Sequence, residues 1–252
     1  MTLILATIRP GEPEIFASIQ GEGPSAGLPA LFVRLSRCNL ACVWCDTAYT
    51  WRFEGDQRPH VDGIAYGRAA NQLALGEAET AARILALPGA RTVERLVVTG
   101  GEPLLQAAPL ARLLALLKAE RPALQVEVET NGTVAPPPAL DALIDQYNVS
   151  PKLAHSGNPA SLALPPERLA RWAAEPRAFL KFVVAVPADI DEIIALQRRF
   201  AIPPNRIYLM PEGRESAALH ARARWLVRLC ETHRFSFSDR LHIHRHGDTR
   251  GT

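Results

Sequence analysis

Six short runs rich in β-branched and aromatic residues alternate with longer stretches of helical period, and this alternation constrains the fold more than any other feature of the chain. The runs are Ala30–Ser36 (ALFVRLS), Arg95–Thr99 (RLVVT), Gln125–Thr130 (QVEVET), Tyr147–Ser150 (YNVS), Phe179–Val186 (FLKFVVAV) and Arg206–Met210 (RIYLM). Helical periodicity covers Glu77–Leu87, Leu110–Glu120, Ala139–Gln146, Glu167–Ala174, Ala188–Phe200 and Ser216–Thr232. Proline stands near the first turn in PALDALI and PADIDEII, where a missing N–H costs nothing. Strand–helix alternation of this kind implies right-handed crossovers and a parallel sheet. Six units fall short of a closed eight-fold barrel. An α/β fold with an open, curved partial barrel of the (βα)6 kind, or a doubly wound sheet, fits.

The unusual short motifs all follow predicted strands. A cysteine-rich loop follows the first, GGEP the second and NG the third. SPK ends the fourth, and PEG follows the sixth. Parallel α/β folds place their sites at the carboxyl ends of the strands, so these loops are expected on one rim. No repeat, low-complexity tract or linker divides residues 1–252, which are expected to form one domain. The segment Phe53–Gly76 is polar and weakly patterned and reads as a loop insertion.

Composition narrows the function classes. A net charge of +2 gives no basic field for nucleic acid. No run approaches the roughly 20 apolar residues of a membrane helix, and the N-terminal MTLILATIRPGEPEIF lacks the preceding basic residues of a signal peptide. A cytoplasmic location is expected. In a reducing compartment clustered cysteines bind metal or do redox chemistry more often than they pair. Three of the four cysteines, Cys38, Cys42 and Cys45, lie within RLSRCNLACVWCDTAYTW, whereas Cys230 shares a helical apolar stripe with Trp225, Leu226 and Leu229 and reads as core.

Three thiolates without a nearby histidine are one ligand short of structural zinc and one short of a plain electron-transfer cluster. A 4Fe-4S cluster on three cysteines leaves one iron open to a small molecule. The CxxxCxxC spacing resembles that of the radical S-adenosylmethionine (SAM) enzymes. In that family the open iron chelates SAM, and one electron cleaves it to methionine and a 5′-deoxyadenosyl radical. The resemblance implies the partial barrel of that superfamily, in modified form. It also implies that Trp44 lies near the adenine, with Asp46 in the same SAM-binding run. Gly101 and Glu102 of GGEP then lie at the SAM amino group, and Ser150, Pro151 and Lys152 of SPK at its ribose and carboxylate. Glycines suit close backbone approach, and a lysine supplies a point charge. ETNG (Glu129–Gly132) reads either as a turn or as a further SAM contact, and Glu212 of MPEG lies near SAM in the same mapping.

The stretch EIFASIQGEGPSAGLPALFVRLSRCNLACVWCDTAYTW, with VTGGEP, ETNG and SPK, is similar to the 7-carboxy-7-deazaguanine synthase family from about Glu14 to Met210. The resemblance implies conversion of 6-carboxy-5,6,7,8-tetrahydropterin to 7-carboxy-7-deazaguanine, with loss of ammonia, for queuosine and related deazapurines. Hydrogen abstraction is done by the adenosyl radical, so no side chain alone is catalytic, and SAM is regenerated. Ile19, Gln20 and Gly21 match the loop that reads the pterin, with Glu22 beside them; glutamine can both donate and accept. Arg34 matches the substrate-binding arginine, a good partner for a carboxylate. Thr99 falls beside the substrate. Thr47 matches the ligand of a Mg2+ ion, a cation that takes oxygen donors and few of them from protein. The implied partners are an electron donor such as a flavodoxin or ferredoxin and a second copy in a homodimer; nucleic acid and membrane are not expected.

The 53–76 insertion is longer than in compact family members. In the tail LHIHRHGDTRGT, His242, His244 and His246 recur at period two, the pattern of one strand face; a polar terminal strand or tail is expected there. A glycyl-radical-enzyme activase shares CxxxCxxC and GGEP but not SIQGEG and WCDT. A non-catalytic iron–sulfur or zinc module explains the cysteines but not GGEP and SPK.

Overall fold

The computed structural model describes residues 2–252. Its strands are β1 (Thr2–Arg9), β2 (Glu12–Pro13), β3 (Ile15–Ile19), β4 (Pro29–Leu35), β5 (Gln72–Gly76), β6 (Arg95–Gly100), β7 (Gln125–Thr130), β8 (Gln146–Val149), β9 (Ala178–Val184), β10 (Ile207–Pro211) and β11 (Ser236–Phe237). They form one sheet in the order β11-β10-β9-β8-β7-β6-β4-β1-β2, with β3 on β4 and β5 on β1. The six predicted strands are β4 and β6 to β10, and successive members pair in parallel, as alternation with helices requires. The sheet is curved but open, a partial barrel. Across its gap the loop after β3 meets the segment after β11: the Gly23 amide donates to Ser238 Oγ at 2.8 Å and the Leu241 amide to the Gly21 carbonyl at 3.1 Å.

The period of two along each strand sorts the barrel into an apolar outside and a polar inside. Leu31, Val33 and Leu35 of β4, Leu96 and Val98 of β6, Val126 and Val128 of β7, and Tyr147 and Val149 of β8 pack into one core. The helices Glu77–Leu85 and Ala107–Glu120 close over that core. Leu180, Phe182 and Val184 of β9 and Ile207 and Leu209 of β10 form a second core with the helices Pro166–Ala174, Asp189–Phe200 and Ser216–His233. Cys230 is buried there, as its apolar stripe predicts. The alternate positions hold Arg34, Thr99, Glu127, Glu129, Asn148 and Lys181, beside an apolar patch of Phe16, Ala30, Phe32 and Val97. Among the described residues no buried side-chain nitrogen or oxygen lacks a partner, which is how such polar groups persist inside a barrel.

Three expectations are corrected. The helix expected over Ala139–Gln146 is a single turn, Pro138–Asp141, because Gln146 already pairs with Glu127 in the sheet. The 53–76 segment is not all loop. It holds a helical turn at Arg68–Asn71, and β5 runs antiparallel to β1 from Thr2↔Gly76 to Ala6↔Gln72. The histidine tail forms no strand: Leu241–His246 is a helix, so the three histidines do not share one face, and His244 turns away from His242 and His246.

Candidate active site

The carboxyl ends of β4, β6, β7, β8, β9 and β10 open into one cavity. Cys38, Cys42 and Cys45 line it, and so do Ile19, Gln20, Gly21, Arg34, Trp44, Asp46, Thr47, Thr99, Gly101, Ser150 and Lys152. Glu22, Glu129, Asn131, Glu212 and His242 lie on the same wall. Of the residues predicted for the site, Glu102 and Pro151 are not on this wall.

The cysteine loop owes its place to two glycines. Gly100 has φ of +148°, and a Cβ there would stand 2.0 Å from the Leu35 carbonyl oxygen; one on Gly101 would stand 2.2 Å from that of Arg37. Without side chains the β6 end presses against the cysteine loop, and the Gly101 and Glu102 amides donate to the Leu35 and Arg37 carbonyls at 3.1 and 2.8 Å. Glu102 is wholly buried. It accepts from Leu104 N at 3.0 Å, from Thr130 Oγ1 at 2.9 Å and from Asn131 N at 2.7 Å. Burial outweighs these donors and pushes its carboxyl up to about 7. The acid of GGEP therefore ties β6 to the ETNG turn from behind the cavity wall.

Each cysteine sulfur has a polar neighbour. Cys38 Sγ accepts from Leu40 N at 3.4 Å and Asn131 Nδ2 at 3.8 Å, and Cys42 Sγ accepts from Asn158 Nδ2 at 3.3 Å. Cys45 Sγ lies 3.6 Å from Thr47 Oγ1. Burial raises all three thiols, Cys38 to about 12 and Cys45 to about 11. Such thiols ionise when positive iron replaces the lost solvation. Among the described residues no three or more His, Cys, Asp or Glu side chains are arranged to hold a single metal ion. The donor set on the wall, three thiols set apart, fits a multi-iron cluster rather than one tetrahedral ion.

Beside the cysteines Trp44 stacks on His155 with centroids 5.5 Å apart and donates from Nε1 to His155 Nδ1 at 3.0 Å. The Lys152 ammonium lies 5.7 Å from the centre of the Trp44 ring and donates to Ser150 Oγ at 2.7 Å. A flat aromatic surface and a fixed cation thus adjoin the thiols.

The opposite wall is an ionic network. Lys181, 3% exposed, donates to Glu22 at 2.6 Å and to Glu129 at 2.9 Å. Arg240 pairs with Glu22 at 3.0 Å and also with Asp46. It joins the SIQGEG loop to the WCDT run. Burial opposes charge on Glu22, but Lys181, Arg240 and His242 outweigh it and hold its carboxyl well below the usual range. Glu129 goes the other way: burial and the Glu22 charge raise it against the pull of Lys181. Gln20 donates to Glu129 at 3.2 Å, so the loop that SIQGEG forms is moored to β7. Arg34 donates to Glu14 at 2.7 Å and to Thr99 Oγ1 at 3.4 Å, and Tyr49 donates to Glu14 at 2.8 Å. His242 packs against Gly21, where a Cβ would stand 2.3 Å from its Nδ1.

Sequence reasoning missed Glu14, Tyr49, Lys181, Arg240 and Arg250, all on the wall. Lys181 left a signal, a lone charge inside FLKFVVAV; so did Glu127 and Glu129, the alternate positions of QVEVET. Arg240 left none; Arg250 belongs to the Arg-Gly element of the tail, which resembles family C-termini that approach the site but carried no assigned role. Arg250 lies 3.6 Å from the centre of the Tyr49 ring.

Residues 33–154 match the family model described as the radical SAM superfamily. The chain is 38% identical over 248 residues to the 7-carboxy-7-deazaguanine synthase of Pyrobaculum aerophilum, covering 98% of this chain and 99% of that one. It is 35% identical to the enzyme of the same name from Hyperthermus butylicus, over 91% and 90% of the two chains. The crystal structure of QueE from Escherichia coli superposes with a TM-score of 0.65 at 26% identity, covering 96% of this chain and 95% of that one. The chain belongs to the 7-carboxy-7-deazaguanine synthase family of radical SAM enzymes.

Proposed function

We propose that residues 1–252 are one catalytic domain that converts 6-carboxy-5,6,7,8-tetrahydropterin to 7-carboxy-7-deazaguanine and ammonia. The observation that carries this is the meeting of two walls in one cavity: three thiols beside Trp44 and Lys152, and the SIQGEG loop held by Lys181 and Arg240. When bound, a 4Fe-4S cluster on Cys38, Cys42 and Cys45 supplies the electron that cleaves SAM and starts radical chemistry.

The chain's own residues bind and orient. Trp44, with Asp46 and Gly101 nearby, offers a surface for the adenosyl group, and Ser150 and Lys152 offer a donor and a charge for the SAM carboxylate. Pro151 shapes the SPK turn behind that wall, and Glu102 acts through the ETNG turn. Ile19, Gln20 and Gly21 face the pterin. Arg34 and Thr99 face the substrate carboxylate, with Glu14 and Tyr49 holding the guanidinium in place. Thr47, on the same wall, is proposed as the residue that would hold a Mg2+ ion, which would supply positive charge for the substrate carboxylate. A low-potential donor such as a flavodoxin or ferredoxin, a homodimeric state and a cytoplasmic location complete the reading. No helix among the described residues is long and apolar enough to cross a membrane.

Anaerobic reconstitution with iron and sulfide, followed by SAM, reductant, Mg2+ and the pterin, tests the proposal. Mass spectrometry is expected to find 7-carboxy-7-deazaguanine, and none from Cys42→Ala. SAM cleaved beside intact pterin would leave the radical chemistry and refute the substrate.

A further inference from the structure

The front of the 53–76 segment is folded onto the cysteine loop rather than over the cavity. His60, whose side chain has no exposed surface, bonds through Nε2 to the Cys45 carbonyl at 2.8 Å. Its Nδ1 accepts from the Asp62 amide at 3.2 Å, so Nε2 carries the proton and the Cys45 carbonyl is the acceptor. The next residue repeats the grip, the Val61 amide donating to the Val43 carbonyl at 2.8 Å. Asp62 accepts from Arg214 Nη1 at 2.7 Å, which ties the segment to the loop after β10. Arg52 holds the segment's own shape by donating to the carbonyls of Arg58 and Gly63 at 3.3 Å each, and to that of Ile64. Above them Trp51 meets the His60 ring edge-on at 6.2 Å, and the Arg58 guanidinium lies 4.7 Å from the Trp51 ring centre.

The loop between Cys42 and Cys45 is thus gripped from two directions. From one side the Val43 amide donates to the Ser156 carbonyl at 3.0 Å and the Ala41 amide to Asn158 Oδ1 at 2.9 Å. From the other come Val61 and His60. Cys45 comes last of the three cysteines, and the next regular element after it is the short 3-10 turn Ala48–Thr50. Such a ligand keeps its direction only if its backbone is fixed from outside.

We infer that residues 53–66 are a clasp that fixes Cys45 for the cluster and closes its outer side to solvent, with His60 as the positioning residue. The inference rests on the reading of the three cysteines as cluster ligands. Loss of the clasp frees the Cys45 peptide and leaves its carbonyl without a partner, so iron should leave faster while the rest of the cavity stays intact.

The test follows iron release from the cluster-loaded full chain to ferrozine, anaerobically, without SAM, beside the thermal midpoint of the apoprotein. His60→Ala is expected to release iron roughly three- to tenfold faster, the range for one hydrogen bond of about 1 kcal/mol. His60→Gln restores a donor at the Nε2 position and is expected to return most of the loss. Asp62→Ala, which does not touch Cys45 and reaches the cavity only through Arg214, is expected to act in the same direction more weakly and serves if His60→Ala fails to fold. Wild-type release rates in Asp62→Ala and His60→Ala, or no recovery in His60→Gln, would overturn the clasp. If the wild-type chain assembles no cluster, the reading of the cysteines falls with it.

Discussion

Lys181→Met is the most informative single change in the ionic wall. The side chain is 4% exposed and stands between two carboxylates, Glu22 at 2.6 Å and Glu129 at 2.9 Å. Methionine fills the space but leaves both acids, and removing one partner of a buried pair costs about 3–5 kcal/mol. For a chain of this size each kcal/mol moves the thermal midpoint by about 2–4 °C, so a fall of roughly 6–20 °C is expected near neutral pH. The pH dependence carries the diagnosis. In the wild type Glu22 is held low, so its contribution is present above its unfolded pKa of about 4.3 and is lost only in stronger acid. In the variant Glu22 keeps Arg240, while Glu129 has lost its cation and faces a like charge. The Glu129 pKa then rises further, and a group raised on folding stabilises at low pH and loses that contribution as pH rises. The variant should therefore regain stability between pH 7.5 and 5.5, by at most about 1.4 kcal/mol per pH unit relative to wild type. Glu102 and His242 titrate in both proteins, so their terms cancel in the difference. Thermal unfolding of loaded protein at the two pH values decides it. A variant as stable as wild type, or a deficit that does not shrink at pH 5.5, would refute the reasoning.

Other predictions are narrower. Gly101→Ala places a Cβ 2.2 Å from a backbone oxygen that cannot move without the cysteine loop, so iron content after reconstitution should fall severalfold. Glu102→Gln should flatten the pH dependence of stability: the wild-type carboxyl, raised to about 7, favours the fold below that pH and loses this contribution as pH rises through it. Urea titrations at pH 6 and 8 should show a smaller loss of stability with rising pH in the variant than in wild type. Arg34→Lys loses the bond geometry to Glu14 and Thr99 and should raise KM for the pterin about tenfold or more, leaving uncoupled SAM cleavage intact. Thr47→Ala should remove stimulation of turnover by Mg2+; because it also takes Oγ1 from beside Cys45 Sγ, iron content is measured in parallel, and a variant with wild-type iron that still responds to Mg2+ would refute the assignment.

The parallel strands were legible because alternate burial leaves a strong pattern: each predicted strand pairs where its motif-bearing end joins the rim. The N-terminal hairpin was not. TLILATIR is apolar on both faces, with Leu3 and Leu5 on one and Ile4 and Ala6 on the other, and an isolated apolar run carries no information on its partners, here β4 and β5. The same holds for β5, whose QLALG is too short to signal by itself. Within the site the cysteines, SIQGEG and SPK were readable as local motifs. Glu102 is buried behind the cavity wall, a placement the motif does not give, since a motif fixes residue type but not which way an acid turns. Arg240 and the clasp residue His60 were invisible, because their meaning lies in contacts more than 190 and 10 positions away along the chain, to Asp46 and Cys45.

The central claim is that the cleft directs a radical from SAM to C6 of the pterin and recovers the SAM. The most direct measurement supplies pterin deuterated at C6, with SAM at less than one equivalent of substrate, and follows label and turnover together by mass spectrometry. The account predicts more than one product per SAM, with deuterium appearing in the recovered SAM. Unlabelled 5′-deoxyadenosine accumulating one for one with SAM consumed, beside unreacted pterin, would contradict it.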